Sequence, residues 1–316
     1  MNLASVYQLL LGCGRKFARF EKNQATSFDG RIPVSGGSIH YWKFGYSDRF
    51  PLILIHGGPG FPHNYLLPLK VLSDERMVIF YDQLGCGASD RPTGNESWAV
   101  ERFVDELRTL ASALKIPKFH LLGHSWGAIL ALECAFGDPR VASVTLASPC
   151  ISIPKWTGDA RKLRALLPGV SREALERAER TGDYQSEDVR AAEAEYYARF
   201  VYGAHPYQSL VDAGAAKFGK ECYRFMWGPN EAAPTGTLRG YDRSDALSDL
   251  RIPALYTCGR NDEATPETTA WYCDRTPNAR MRVFELSAHM PHLSETVEYC
   301  RELRKFFDDV EGHAHG

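Results

Sequence analysis

Short apolar runs recur along the chain with the lengths and spacing of buried strands. They cover residues 39–44, 52–56, 77–81, 119–122, 144–147, 254–258 and 282–286. Between them the apolar period changes to that of a helix. Within 98–114, Val100, Phe103, Val104, Leu107, Leu110, Ala111 and Leu114 fall on one face. Residues 126–135, 266–273 and 294–307 carry similar spacing. Strands that alternate with helices predict an α/β chain with a mostly parallel sheet flanked by helices. The middle breaks this alternation. From residue 154 to about 247 no strand pattern occurs, the stretch is rich in Ala, Arg, Glu and Tyr, and 171–180 and 186–202 read as helices. A helical cap inserted between two strands is the expectation. The division is 1–30 as an N-terminal extension, 31–150 and 250–316 as the core, and 151–249 as the cap, with breaks at 149–154 and 249–253 as its hinges.

Composition narrows the classes. At 316 residues, with 44% hydrophobic and 24% charged residues, the chain is neither disordered nor a membrane bundle. Its formal charge of −2 and lack of any Lys/Arg block argue against a nucleic-acid partner. The eight cysteines contain no C-x-x-C and are too sparse for a disulfide scaffold, so they read as free thiols of a reducing, cytoplasmic compartment. Residues 1–14 are uncharged and too short to span a bilayer. Leu10-Leu11-Gly12-Cys13 weakly resembles a lipoprotein cleavage box, but Arg15, Lys16 and Arg19 follow the apolar stretch instead of preceding it. The expectation there is a short amphipathic helix lying on the core.

The sharpest chemical signal is Gly123-His124-Ser125-Trp126-Gly127, between an apolar run and a helical one. This is the strand–turn–helix setting of a G-x-S-x-G nucleophile elbow, whose tight turn needs small residues on both sides of the serine. A serine nucleophile needs a base, and the base an orienting acid, in the chain order Ser, Asp or Glu, His. Asp262, in the loop after 254–258, is the candidate acid, and the adjacent Glu263 should point elsewhere. His289 is the candidate base because it lies nearer its strand end than His292. His124 flanks the nucleophile and is a candidate for shaping the pocket. Two amides should hold the oxyanion: that of Trp126, and that of Gly58 in His56-Gly57-Gly58-Pro59-Gly60. No Gly-Lys-Ser/Thr follows those glycines, so a phosphate loop is a poor rival.

Five segments together resemble the proline iminopeptidases (prolyl aminopeptidases, with related amino acid amidases). They are His56–Gly60, Tyr81-Asp82-Gln83-Leu84-Gly85-Cys86-Gly87-Ala88-Ser89, the elbow, Trp227-Gly228-Pro229-Asn230-Glu231, and Asp262-Glu263-Ala264-Thr265-Pro266. The resemblance implies an α/β-hydrolase fold with a helical cap, and release of an N-terminal residue, proline or another small or hydrophobic one, from a short peptide or amide. It implies no metal or organic cofactor. In that family acidic residues bind the substrate's protonated amine, and Glu231 and Glu263 stand at the matching positions. The pairing is physically sound, since a partly desolvated ammonium needs carboxylate partners. The stretch from Asp82 to Ser89 reads as a structural turn. The chain departs from the family in its Gly-His before the serine, its short cap and its N-terminal extension, which puts the substrate in question. Tyr196, Tyr197, Tyr202, Tyr223, Phe225 and Trp227 are candidate pocket aromatics from the cap. An amidase or small esterase is the alternative on the same fold, and a non-catalytic ligand-binding protein is a more distant one. Aspartate-nucleophile chemistries are disfavoured by Ser125.

Overall fold

The structure, a computed structural model, describes residues 27–312 apart from 93 and 95–97. The reading of residues 1–14 as a helix lies outside the described residues.

Eight strands form one sheet in the order β1-β2-β4-β3-β5-β6-β7-β8. They are β1 (Ser27–Val34), β2 (Gly37–Phe44), β3 (Leu52–Ile55), β4 (Val78–Asp82), β5 (Phe119–His124), β6 (Val141–Ala147), β7 (Ala254–Gly259) and β8 (Ala279–Phe284). From β4 through β8 neighbouring strands run parallel, while β1 and β2 form an antiparallel hairpin at one edge. The central strands are buried at every position and mostly apolar because helices cover both faces of the sheet. Their alternation still sorts the two cores. Ile53 and Ile55 join the layer of α1 (Val100–Ala113) and α2 (Trp126–Gly137), with Phe103, Leu107, Ile129 and Leu130. Leu52 and Leu54 face the other layer, with Tyr299, Leu303 and Phe307 of the C-terminal helix Thr296–Glu311.

Two elements differ from the sequence reading. β1 was not anticipated and begins inside the stretch read as an extension. As an edge strand with Asp29, Gly30, Arg31 and Pro33, it has no apolar run to betray it. β8 begins three residues and ends two residues earlier than expected, because the chain passes from strand into turn after Phe284 and leaves Leu286 80% exposed.

Between β6 and β7 the described chain is helical. It comprises α3 (Ile153–Arg164), α4 (Gly169–Thr181), α5 (Glu187–Tyr196), a π-helical turn Tyr197–Tyr202, α6 (Gln208–Ala215), α7 (Lys220–Met226) and two short 3-10 turns. α3 starts on Ser152, whose side chain accepts from the Lys155 amide, and α4 stops at Gly182, which has φ +74°. A 3-10 helix, His63–Asp74, links β3 to β4, and three further helices complete the described residues: α8 (Pro266–Cys273), α9 (Pro291–Ser294) and α10 (Thr296–Glu311).

The end of the sheet opposite the elbow is held by charge. Arg76, fully buried, donates to Glu311 at 2.5 Å, and His120 of β5 reaches the same carboxylate at 3.0 Å. Burial alone would raise the Glu311 carboxyl, but the hydrogen bonds from His120 and Arg76 outweigh it and bring it down to about 2. Among the described residues no helix is long and apolar enough to cross a membrane.

Candidate active site

Ser125 sits between β5 and α2 with φ +55° and ψ −119°, a backbone region that L-residues rarely occupy. Close packing around the turn holds it there. A Cβ on Gly123 would lie 2.1 Å from the Gly127 carbonyl oxygen, and one on Gly127 would lie 2.3 Å from that of Ile55. The Ser125 amide donates to the Ala147 carbonyl at 2.9 Å, tying the turn to the end of β6. Only 5% of Ser125 is exposed.

Asp262 follows β7 and is buried. Its Oδ1 accepts from the Ala264 amide at 2.8 Å and pairs with His289 Nδ1 at 2.7 Å. Its Oδ2 accepts from the Gly259 amide at 3.0 Å and from Ser148 Oγ at 2.7 Å. His289 is therefore the histidine against the candidate acid. His292 packs between Tyr65 and Tyr299, with ring centroids 5.5 and 6.0 Å away, and burial followed by the charge of His289 lowers it to about 3.

His124 is a connector. Its Nε2 donates to the His289 carbonyl at 2.8 Å, and its Nδ1 accepts from Tyr65 Oη at 2.9 Å. Tyr65 Oη in turn accepts from the Gly57 amide at 2.8 Å. Burial holds the His124 imidazole well below its ordinary value, so it serves this relay as the neutral ring. The loop Gly57–Gly60 is thereby fixed to the loop of the base.

That loop passes directly over the nucleophile: a Cβ on Gly57 would lie 3.2 Å from Ser125 Cβ. Gly58 has φ +112° and precedes a cis peptide bond to Pro59. A Cβ there would stand 2.6 Å from two backbone nitrogens, so the turn admits only glycine. Trp126 opens α2, and its indole donates to Gln83 Oε1 at 2.8 Å, while Gln83 Nε2 donates to the His56 carbonyl at 2.9 Å. Gln83 thus clamps the two loops that carry the candidate oxyanion amides.

The turn from Asp82 to Ser89 is spent on structure. Asp82 accepts from the His63 and Ala88 amides at 3.0 and 2.8 Å, and Ser89 Oγ donates to the Asp82 carbonyl at 2.5 Å. His56, Asp82 and Cys86 bring a ring nitrogen, a carboxylate oxygen and a sulfur within 4.8 Å of one another. Their lone pairs are engaged: His56 Nε2 already accepts from the Gln83 amide at 2.9 Å, and Asp82 from His63. The donor set suits a folded turn better than a resident metal.

Two side chains with buried carboxyls lie near the candidate base. Glu263 is 1% exposed, and neither of its carboxyl oxygens has a hydrogen-bond partner among the described residues. Its Oε1 lies 3.8 Å from His289 Nε2. Glu231, from the cap, accepts from Tyr223 Oη at 2.9 Å; its amide donates to Tyr197 Oη at 3.2 Å and its carbonyl accepts from Trp156 Nε1 at 3.0 Å. No Lys or Arg pairs with either carboxyl among the described residues. Burial raises Glu231 to about 7. Burial, then the charges of Glu231 and Asp262, raises Glu263 well above the carboxylate range.

The cap aromatics divide. Tyr197 and Tyr223 reach Glu231, and Tyr202 stacks on Tyr197 at 5.6 Å. Tyr196 packs on Phe200, Trp227 packs edge-on against Trp156, and Phe225 lies against the apolar core. Trp156, Tyr65 and Ser148 have no motif to mark them and were missed in the sequence.

Comparison with known proteins agrees with this architecture. Residues 51–296 match the family model of the α/β hydrolase fold. A proline iminopeptidase of Heyndrickxia coagulans is 40% identical over 285 residues, spanning 89% of this chain and 99% of its own length. Another, of Clostridium botulinum, is 37% identical over 265 residues, spanning 83% and 90%. The crystal structure of the Mycobacterium smegmatis proline iminopeptidase superposes with a TM-score of 0.83 at 33% identity, covering 90% of this chain and 98% of that one. That of VinJ superposes with a TM-score of 0.85 at 32% identity, covering 90% and 99%. The chain belongs to the α/β-hydrolase fold family and, within it, to the proline iminopeptidases.

Proposed function

We propose that this chain is a serine aminopeptidase that releases an N-terminal residue, proline or another small or hydrophobic one, from short peptides. Ser125 Oγ attacks the carbonyl of the first residue and its proton passes to His289 Nε2. Asp262 orients the imidazole through Nδ1 and stabilises its charged form. The Gly58 and Trp126 amides receive the oxyanion. As the C–N bond breaks, His289 returns the proton to the leaving nitrogen. Water then attacks the acyl-enzyme and gives a proton to His289, which returns it to Ser125 Oγ as the acyl–oxygen bond breaks and the free amino acid leaves.

The observation that carries this reading is the pair of buried carboxyls, Glu231 and Glu263, beside the base and without a cation. Burying a carboxylate without a cation partner is costly. The substrate's ammonium supplies the missing partner and places the first carbonyl, not an internal one, at Ser125. Blocked N-termini are thereby refused. An amino acid amide presents the same ammonium and carbonyl, so amides are substrates of the same site. The seven cysteines among the described residues are all free, which suits a reducing compartment such as the cytoplasm.

The test is kcat/KM for a proline anilide, its N-acetylated form and proline amide. Cleavage of the first and third with little of the second is expected. Equal cleavage of free and acetylated anilides would leave a general amidase or esterase.

A further inference from the structure

We propose that Ser148 is a positioning residue of the hydrolytic reaction, locking the acid, the base and the nucleophile to the end of one strand; this rests on the Ser125–His289–Asp262 reading above. Ser148 follows β6 directly and is fully buried. Its φ is +47°, in the left-handed region, where a residue with a Cβ is strained and glycine is not. Strain of this kind in a buried side chain persists where surrounding contacts over-determine it. The backbone is held by the Ser148 amide, which donates to the Thr257 carbonyl of β7 at 2.7 Å.

The side chain then reaches two members of the triad at once. Oγ lies 2.7 Å from Asp262 Oδ2 and 3.0 Å from the carbonyl of His289. The hydroxyl has one proton, and the nearer acceptor is the carboxylate. The other three donors to Asp262 are the Gly259 and Ala264 amides of its own loop and His289 itself. Ser148 is the donor that comes from a different strand, so it fixes the carboxylate relative to β6. The preceding residue, Ala147, accepts from the Ser125 amide at 2.9 Å. Two consecutive residues at the tip of β6 therefore hold the nucleophile's backbone and the acid's carboxylate, and through that carboxylate the ring of the base. Preorganisation of this kind acts on the geometry of proton transfer and not on substrate binding.

Serine at this position separates activity from stability. Ser148→Gly removes the hydroxyl and relieves the backbone strain. Ser148→Ala removes the hydroxyl and keeps the strain. Both should lower kcat roughly tenfold with little change in KM, the loss expected for one hydrogen bond to a charged group. Their melting temperatures should diverge, with the glycine variant the more stable. A substrate-independent readout is the rate of Ser125 phosphonylation by a small fluorophosphonate across pH. In both variants it should slow by a similar factor, and its acid limb should move to higher pH. An Asp262 that has lost a donor binds the imidazolium more strongly and makes His289 more basic. Two results would overturn the proposal: labelling of the glycine variant at the wild-type rate and pH midpoint, or activity losses that simply track melting temperature. If the wild-type protein itself resists the fluorophosphonate, the serine-triad reading has failed, and the role of Ser148 fails with it.

Discussion

Glu263→Gln tests the amine site most directly, because glutamine keeps the shape of the side chain and removes its charge. In the free enzyme the two carboxyls are buried with no Lys or Arg partner among the described residues; burial raises Glu231 to about 7, and burial followed by the charges of Glu231 and Asp262 raises Glu263 well above the carboxylate range. The pair titrates as a unit, and near neutrality it retains a proton. Binding of an ammonium requires the charged form, so the retained proton must leave. The kcat/KM for a free-amine substrate should therefore rise with pH through neutrality. It should fall again once the amine itself deprotonates, which for an α-amino group begins near ~8. Loss of one charge-assisted contact to the ammonium corresponds to about 1.5–3 kcal/mol, or roughly 10–150-fold in kcat/KM on proline anilide. The acid limb should also move to lower pH in the variant, since Glu231 no longer shares its site with a second carboxyl. Steady-state kinetics from about pH 5 to about pH 9 on the free and N-acetylated anilides would measure both effects. An unmoved acid limb, or equal losses on the two substrates, would refute an ammonium held by this pair.

Three other outcomes are expected. Ser125→Ala should lose more than ~10⁴-fold in kcat while keeping its circular dichroism and melting profile, and retention of most activity would remove Ser125 from the mechanism. The raised carboxyl of Glu263 favours the native state below its ordinary value, and that contribution is lost as pH rises through its native one, so Glu263→Gln should be more heat-stable than wild type at about pH 8 and little different at about pH 4; the same melting difference at both would contradict this linkage. Glu311→Gln takes the carboxylate from the fully buried Arg76, which retains the Phe50 carbonyl and Glu75. Urea unfolding should show a loss of about 3 kcal/mol, and a change under ~1 kcal/mol would mean that this ion pair contributes little to the fold.

What the sequence revealed follows the range over which each feature is decided. The central strands were legible because β3, β5 and β7 are buried at every position and carry mostly apolar residues. The elbow was legible because one tight turn forces glycine at 123 and 127 within five residues. The position of a residue at a strand end was enough to prefer His289 over His292 as the candidate base, and His289 is the one that stands 2.7 Å from Asp262. β1 was not legible: an edge strand has one neighbour, tolerates Gly30 and Pro33, and shows little apolar pattern. The remaining features are products of the fold. Ser148 meets Asp262 across 114 positions of sequence, and Arg76 meets Glu311 across 235. A serine after a strand and an arginine before one carry no local mark of such partners. The unpartnered state of Glu263 is likewise a property of the assembled pocket, since a glutamate beside a helix start reads as a solvated N-terminal carboxylate until the cap and the loop of the base close around it. The motif segments were enough to single out Glu231 and Glu263, but their lack of a Lys or Arg partner shows only where the cap and the core are read together.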